Sequence, residues 1–204
     1  MSIVRIDAPE TQRLLAWGNY AYLLAMMAVI AAILTAAMVM QYAFGELPCP
    51  LCLLQRVAMF GVCFGIFMQF RGGFSYGNTG IAMLFALLLL VVAERQTLLD
   101  IYPRPGHAYI GSAVFGLHMP VWSIVIGFVL LIAFTMKLAI LGGDRHLEAV
   151  PVRSFPRLAM AGTIVGLYVI ALAVINLASV AVQCGVGECH TMGYALLGYT
   201  APAS

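Results

Sequence analysis

The chain has 204 residues, of which 63% are apolar and only 9% are Asp, Glu, Lys or Arg, against about 25% charged in an ordinary soluble domain. That composition excludes water as its main solvent. A formal net charge of +2 supplies no basic stripe able to follow a phosphate backbone, so nucleic acid is not an expected partner.

A helix needs about 20 apolar residues to cross roughly 30 Å of hydrocarbon, so uncharged runs mark the spans. The first run, 14–45, lies between Arg13 and Glu46. It is too long for the core of a cleavable leader and is expected to persist as an anchor. Next comes Leu51 to Phe70, apolar apart from Arg56, which brings the chain back before the third span. The runs 72–93, 105–136 and 158–187 follow, the second of them with a loop ahead of its helix. Together they predict an all-α membrane protein of five transmembrane helices, near 14–40, 51–70, 78–97, 117–141 and 158–182.

Lys and Arg in short loops set orientation. With the N-terminus inside, the inner segments hold Arg5, Arg13, Arg71, Lys137, Arg145, Arg153 and Arg157, and the outer ones only Arg95 and Arg104. The expected organisation is a cytoplasmic segment 1–13, four helices over 14–141, a cytoplasmic loop 142–157, and a fifth helix with a periplasmic tail over 158–204. Trp17, Tyr20, Tyr42, Tyr102, Tyr109 and Trp122 fall mostly near span ends, as aromatic belts do.

Four of the five cysteines then share the outer face. Cys49 and Cys52 form a C-x-x-C pair where an outer loop turns into the second helix, and Cys184 and Cys189 form a C-x-x-x-x-C pair just past the fifth. Two close pairs on one side suit an oxidising compartment such as a bacterial periplasm. Cys63, mid-helix between Val62 and Phe64, reads as a small core side chain.

A sulfur at a helix start lies near unsatisfied N–H groups and the positive end of the macrodipole, which favour the thiolate that attacks disulfides and donates electrons. Cys52 has that position, and Arg56, four residues on, shares its helical face one turn deeper. From Val57 to Phe70 there are 14 residues, or about 21 Å of helix at about 1.5 Å per residue. That is too short to span, so Arg56 must lie inside the helix near the hydrocarbon edge. An ionisable group there is a functional candidate; the plainer reading is an arginine that snorkels to the headgroups.

A dithiol that only becomes a disulfide stops after one turnover, so two electrons need an acceptor. With no G-x-G-x-x-G fold for a nicotinamide or flavin, a lipid-soluble quinone at the membrane end of the second helix fits the chemistry. His118, beside Met119 and Pro120, is a candidate hydrogen-bond partner for a quinone carbonyl, or an interfacial histidine satisfied by water.

The run Pro48-Cys49-Pro50-Leu51-Cys52-Leu53-Leu54-Gln55-Arg56-Val57-Ala58-Met59-Phe60-Gly61 resembles the motif of the bacterial disulfide bond formation protein B (DsbB) family. Gly116-Leu117-His118-Met119-Pro120-Val121-Trp122 looks like the stretch with which that family enters its fourth helix. The likeness covers roughly 14–141. It implies a four-helix bundle in the bacterial inner membrane that reoxidises a periplasmic thioredoxin-like (DsbA-type) oxidase and passes electrons to ubiquinone or menaquinone. It also implies that Cys49 and Cys52 form the quinone-coupled disulfide, that Cys52 faces the quinone ring, and that Arg56 helps to bind and polarise it.

The sequence departs from the family pattern in two respects, the place of its second cysteine pair and an added fifth helix. The family carries its second cysteine pair between the third and fourth helices, where this chain, over about 98–116, has none. Cys184 and Cys189 are the other outer pair, on a helix and tail that the pattern lacks, so they are expected to receive the partner's electrons, the alternative being a related reaction with a different donor. Three rival readings use the same residues. The first is a Cys₄ zinc or iron site from the two pairs. The second is a C-x₄-C-H variant of haem attachment at Cys184, Cys189 and His190 with Met192. In the third, structural disulfides belong to a non-catalytic subunit of a larger membrane complex.

Overall fold

The computed structural model describes residues 9–101, 113, 115–141, 150–185 and 194–198. Its long elements are α1 (Pro9–Ala43), α2 (Pro50–Gly72), α3 (Tyr76–Ile101), α4 (Met119–Leu141) and α5 (Pro156–Cys184). All five are long and apolar enough to cross a membrane. Among the described residues the chain is therefore helical in all its long elements, a multi-pass membrane protein of the class that satisfies every backbone polar group within its own spans. Single 3-10 turns at Val152–Ser154 and Ala195–Leu197 flank α5.

Four helices run a few residues past the expected bounds, and α4 starts two residues later, at Met119. The reason is physical. Charges such as Glu10, Arg13, Arg71 and Glu94 limit the hydrocarbon but not the backbone hydrogen bonding, which continues into the headgroup layer. The start of α4 is set instead by His118, whose carbonyl accepts from the N–H groups of Val121 and Trp122 at 3.0 and 3.3 Å. Residues 1–8, the loop 142–149 and Cys189 lie outside the described residues, as do His107 and His146.

Lipid tails are as apolar as leucine, so helices in a bilayer associate by close packing and interhelical hydrogen bonds. The packing is built on glycine. A three-residue connection, 73–75, makes α2 and α3 antiparallel neighbours, and these two share the most extensive interface. Gly73, with φ +85°, closes α2 by donating its N–H to the Gln69 carbonyl at 2.9 Å. A Cβ on Gly65 would stand 2.7 Å from the Asn78 carbonyl oxygen and 2.8 Å from the Ala82 nitrogen. Only glycine lets the two backbones come that close.

α5 is part of the bundle, packed on both α1 and α2. It buries Gly162, Gly166, Val169, Leu172, Asn176, Ser179 and Gln183, a stripe spaced by threes and fours that makes one narrow seam. Side chains from α2 fill the notches of that seam, Phe70 against Gly162 and Phe67 against Gly166. The core between the helices is formed by Leu23, Met27, Ile30 and Leu34 of α1, Val62 and Ile66 of α2, Ala86 and Leu89 of α3, and Phe134 of α4.

α1 and α4 barely meet. Tyr22 OH donates to the Ala133 carbonyl at 3.2 Å towards the end of the bundle far from Cys49. Towards the cysteine end the two helices are separated by the cavity described next.

Candidate redox site

Cys49 is the N-cap of α2, in extended conformation (φ −72°, ψ 162°), with Pro50 opening the helix. Its sulfur does the work usually given to a serine oxygen, accepting from the Cys52 N–H at 3.0 Å. The N-cap geometry carries the next turn back over it, so Cys49 and Cys52 are joined as a disulfide with Cα atoms 5.0 Å apart. Cys49 is buried and Cys52 half-buried.

A chain of amides holds this disulfide. Gln96 of α3 donates from Nε2 to Cys49 Sγ at 3.3 Å and to Cys52 Sγ at 3.5 Å. Its Oε1 accepts from Gln55 Nε2 at 2.9 Å, and Gln55 Oε1 accepts from Ser123 Oγ of α4 at 2.8 Å. Three helices are thereby tied to the sulfurs by buried, bonded groups, and such groups are expensive to leave unpaired.

Arg56 is buried one turn below Cys52 and is held from the other side. Its NH1 donates to Gln41 Oε1 at 2.6 Å, Asn176 Oδ1 at 3.2 Å and Met38 Sδ at 3.4 Å, and its NH2 to the Ala37 carbonyl at 3.1 Å. All four acceptors are neutral. The guanidinium is anchored, yet its charge is not cancelled by them.

Cys52 and Arg56 both line a cavity of about 550 Å³ between α1 and α4. The walls are apolar, from Ile33, Leu34 and Met40 on one side and Met119, Trp122 and Ile126 on the other. Polar groups come from Cys52, Gln55, Arg56 and Ser123 on the helices and from Glu46 in the connection before α2. An apolar slot with a few convergent polar groups is the usual form of a small-molecule site.

The sequence-predicted residues fall unevenly around this centre. Cys49, Cys52 and Arg56 come together. His118 is half-buried just ahead of α4, and it is Met119, Trp122 and Ser123 that form the wall there. Cys184, the last residue of α5, is disulfide-bonded, whereas Cys189 lies outside the described residues. Cys63 is a free, buried thiol in the core. Gln41, Gln55, Gln96 and Ser123 were not foreseen as site residues; the available signal was that each is an uncharged polar side chain inside an apolar span.

A disulfide at the mouth of a transmembrane helix, above a buried cation and a lipid-level cavity, defines a membrane oxidoreductase acting on disulfides. Residues 19–108, from within α1 to the end of α3 and a few residues beyond, match the family model described as Disulfide bond formation protein DsbB. No curated protein and no solved structure matches the chain.

Proposed function

We propose that the chain is a thiol:quinone oxidoreductase of the bacterial inner membrane, with its N-terminus cytoplasmic and its tail periplasmic. It takes two electrons from a thioredoxin-like dithiol oxidase and delivers them to ubiquinone or menaquinone. The observation that carries this reading is that Cys52 and Arg56 line one apolar cavity of about 550 Å³. That volume lies within the range of about 300–1,000 Å³ typical of small-molecule pockets, and the indole of Trp122 offers a planar group a flat wall. A bound quinone supplies the acceptor that takes two electrons and two protons from the reduced cysteine pair.

The rest is done by the chain's own sulfurs. The partner dithiol reduces the disulfide formed by Cys184 and Cys189 and is itself oxidised. One of the two resulting thiolates attacks Cys49; the bond to Cys52 breaks, and the Cys52 sulfur leaves with the electron pair. The second thiol then displaces Cys49, which closes the tail disulfide and leaves Cys49 and Cys52 as a dithiol. Support for this exchange comes from Gln183 Nε2, which donates to the Pro48 carbonyl at 2.9 Å. That bond joins the immediate neighbours of Cys184 and Cys49. Arg56 favours the anionic form of Cys52 and holds electron-rich oxygen at the cavity wall.

The test uses purified protein, a reduced thioredoxin-like oxidase and a soluble quinone analogue. Wild type should consume quinone, and Cys52→Ser should not. Cys184→Ser should lose electron entry from the protein partner but still reduce quinone when a small dithiol replaces it. A folded wild-type protein that leaves quinone untouched refutes the proposal.

A further inference from the structure

Arg56 is fixed largely by helices other than its own, and one of them, α5, lies beyond the segment that matches the DsbB family model. The buried seam of α5 changes character along its length. Gly162, Gly166, Val169 and Leu172 are followed by Asn176, Ser179 and Gln183. Each of those last three reaches towards the cysteine end: Asn176 Oδ1 accepts from Arg56 at 3.2 Å, Ser179 bonds Tyr42, and Gln183 Nε2 donates to the Pro48 carbonyl at 2.9 Å. A helix that served only as an anchor would fill that seam with apolar side chains, because an amide in hydrocarbon costs free energy unless it is bonded.

The type of side chain is informative as well. A carboxylate at position 176 would hold the guanidinium just as firmly but would cancel its charge. A carboxamide holds it and leaves the charge acting on Cys52 and the cavity. Gln41, the Ala37 carbonyl and Met38 obey the same restriction from α1.

We propose that α5 is a positioning element of the redox site, in which Asn176 orients Arg56 without neutralising it and Gln183 fixes the backbone carbonyl ahead of Cys49. The inference rests on the redox reading of Cys49, Cys52 and Arg56, and it assigns a role to a helix outside the family's four. Neither residue transfers electrons.

The decisive variant is Asn176→Asp in the full chain, reconstituted in lipid nanodiscs. It is isosteric, keeps the acceptor and adds a counter-charge beside Arg56. The reduced form of the Cys49–Cys52 pair then loses support. Thiol trapping in a dithiol redox buffer should show its equilibrium moved about tenfold towards the disulfide, equivalent to about 30 mV for two electrons, with the thermal midpoint equal to wild type or higher. Asn176→Leu should instead raise KM for a soluble quinone analogue several-fold and leave kcat little changed. Gln183→Leu should slow electron entry from the protein partner without moving that KM.

If Asn176→Asp folds and its thiol equilibrium stays within twofold of wild type, the positioning role is overturned and α5 is packing alone. The thiol equilibrium is read without quinone. A wild type that cannot reduce quinone, alongside an Asn176→Asp that shifts the equilibrium, would therefore sink the quinone reading and leave the positioning role standing; the opposite pattern would sink the positioning role alone.

Discussion

The two ends of the bundle are held together by different means. Far from Cys49, shape does the work: Gly65 lies against the α3 backbone, and Phe67 and Phe70 fill the notches at Gly166 and Gly162. The polar groups there are enclosed too: Lys137 Nζ lies over the Phe74 ring at 4.5 Å and 3.4 Å from Gln69 Oε1, and Gln69 Nε2 donates to Thr79 Oγ1 at 3.0 Å. Around Cys49 the interhelical hold rests mainly on amides and a hydroxyl, and the helices part enough to leave a cavity. Hydrogen bonds fix angles and positions while tolerating open space; interlocked rings fix distance and tolerate none. Ring-into-notch packing predominates away from the disulfide, and hydrogen bonding predominates around the disulfide and its cavity.

Substitutions that separate stability from turnover would break this contrast or sharpen it. The largest effect is expected from Cys52→Ser, which should abolish quinone reduction while the thermal midpoint barely moves. Arg56→Leu comes next. It should cost about a hundredfold in kcat/KM for quinone, about 2.7 kcal/mol at about 1.36 kcal/mol per tenfold, and it also strands the oxygens of Gln41 and Asn176, so some stability is lost with it. Gln96→Leu should lower turnover about tenfold by freeing the sulfurs from α3, with an unfolding loss on the order of 1 kcal/mol. The smallest effect on turnover belongs to Gly166→Val. It should cost about 1–3 kcal/mol of stability by overpacking Phe67, yet the folded fraction, assayed at a permissive temperature, should reduce quinone at the wild-type rate. A turnover loss in Gly166→Val as deep as that of Gln96→Leu would show that the two ends are not separable.

The parts of this picture that were legible in the sequence are those that composition enforces. A charge-free run of about 20 residues has few fates other than a span, so four helices could be counted before any packing was known, and the fifth, interrupted by Arg56, follows from the need to bring the chain back between the first and third spans. Cys49, Cys52 and Arg56 stood out because two sulfurs at a helix entry and a cation within an apolar run each break a local pattern. Gln55, Gln96 and Ser123 break it only weakly: an amide has no reaction of its own, and residues 55 and 96 become neighbours only once α2 and α3 are paired. Hydropathy is equally silent on helix order around a bundle. It shows the existence of α5 but not its place against α1 and α2, so nothing in the pattern pairs Asn176 with Arg56.

In the proposed reaction the cap at the start of α2 is also the atom that changes oxidation state. When the second displacement expels Cys49 as a thiolate, its charged sulfur becomes a better acceptor than a disulfide sulfur for the N–H of Cys52, which it already meets at 3.0 Å. The arrival of electrons should thus tighten the first turn of α2 where cleavage of a cross-link would ordinarily fray it. Amide hydrogen exchange at Cys52 should be slower in the dithiol than in the oxidised protein. The reduced sulfurs would then stay within closing distance of each other, ready for the next cycle without a conformational search.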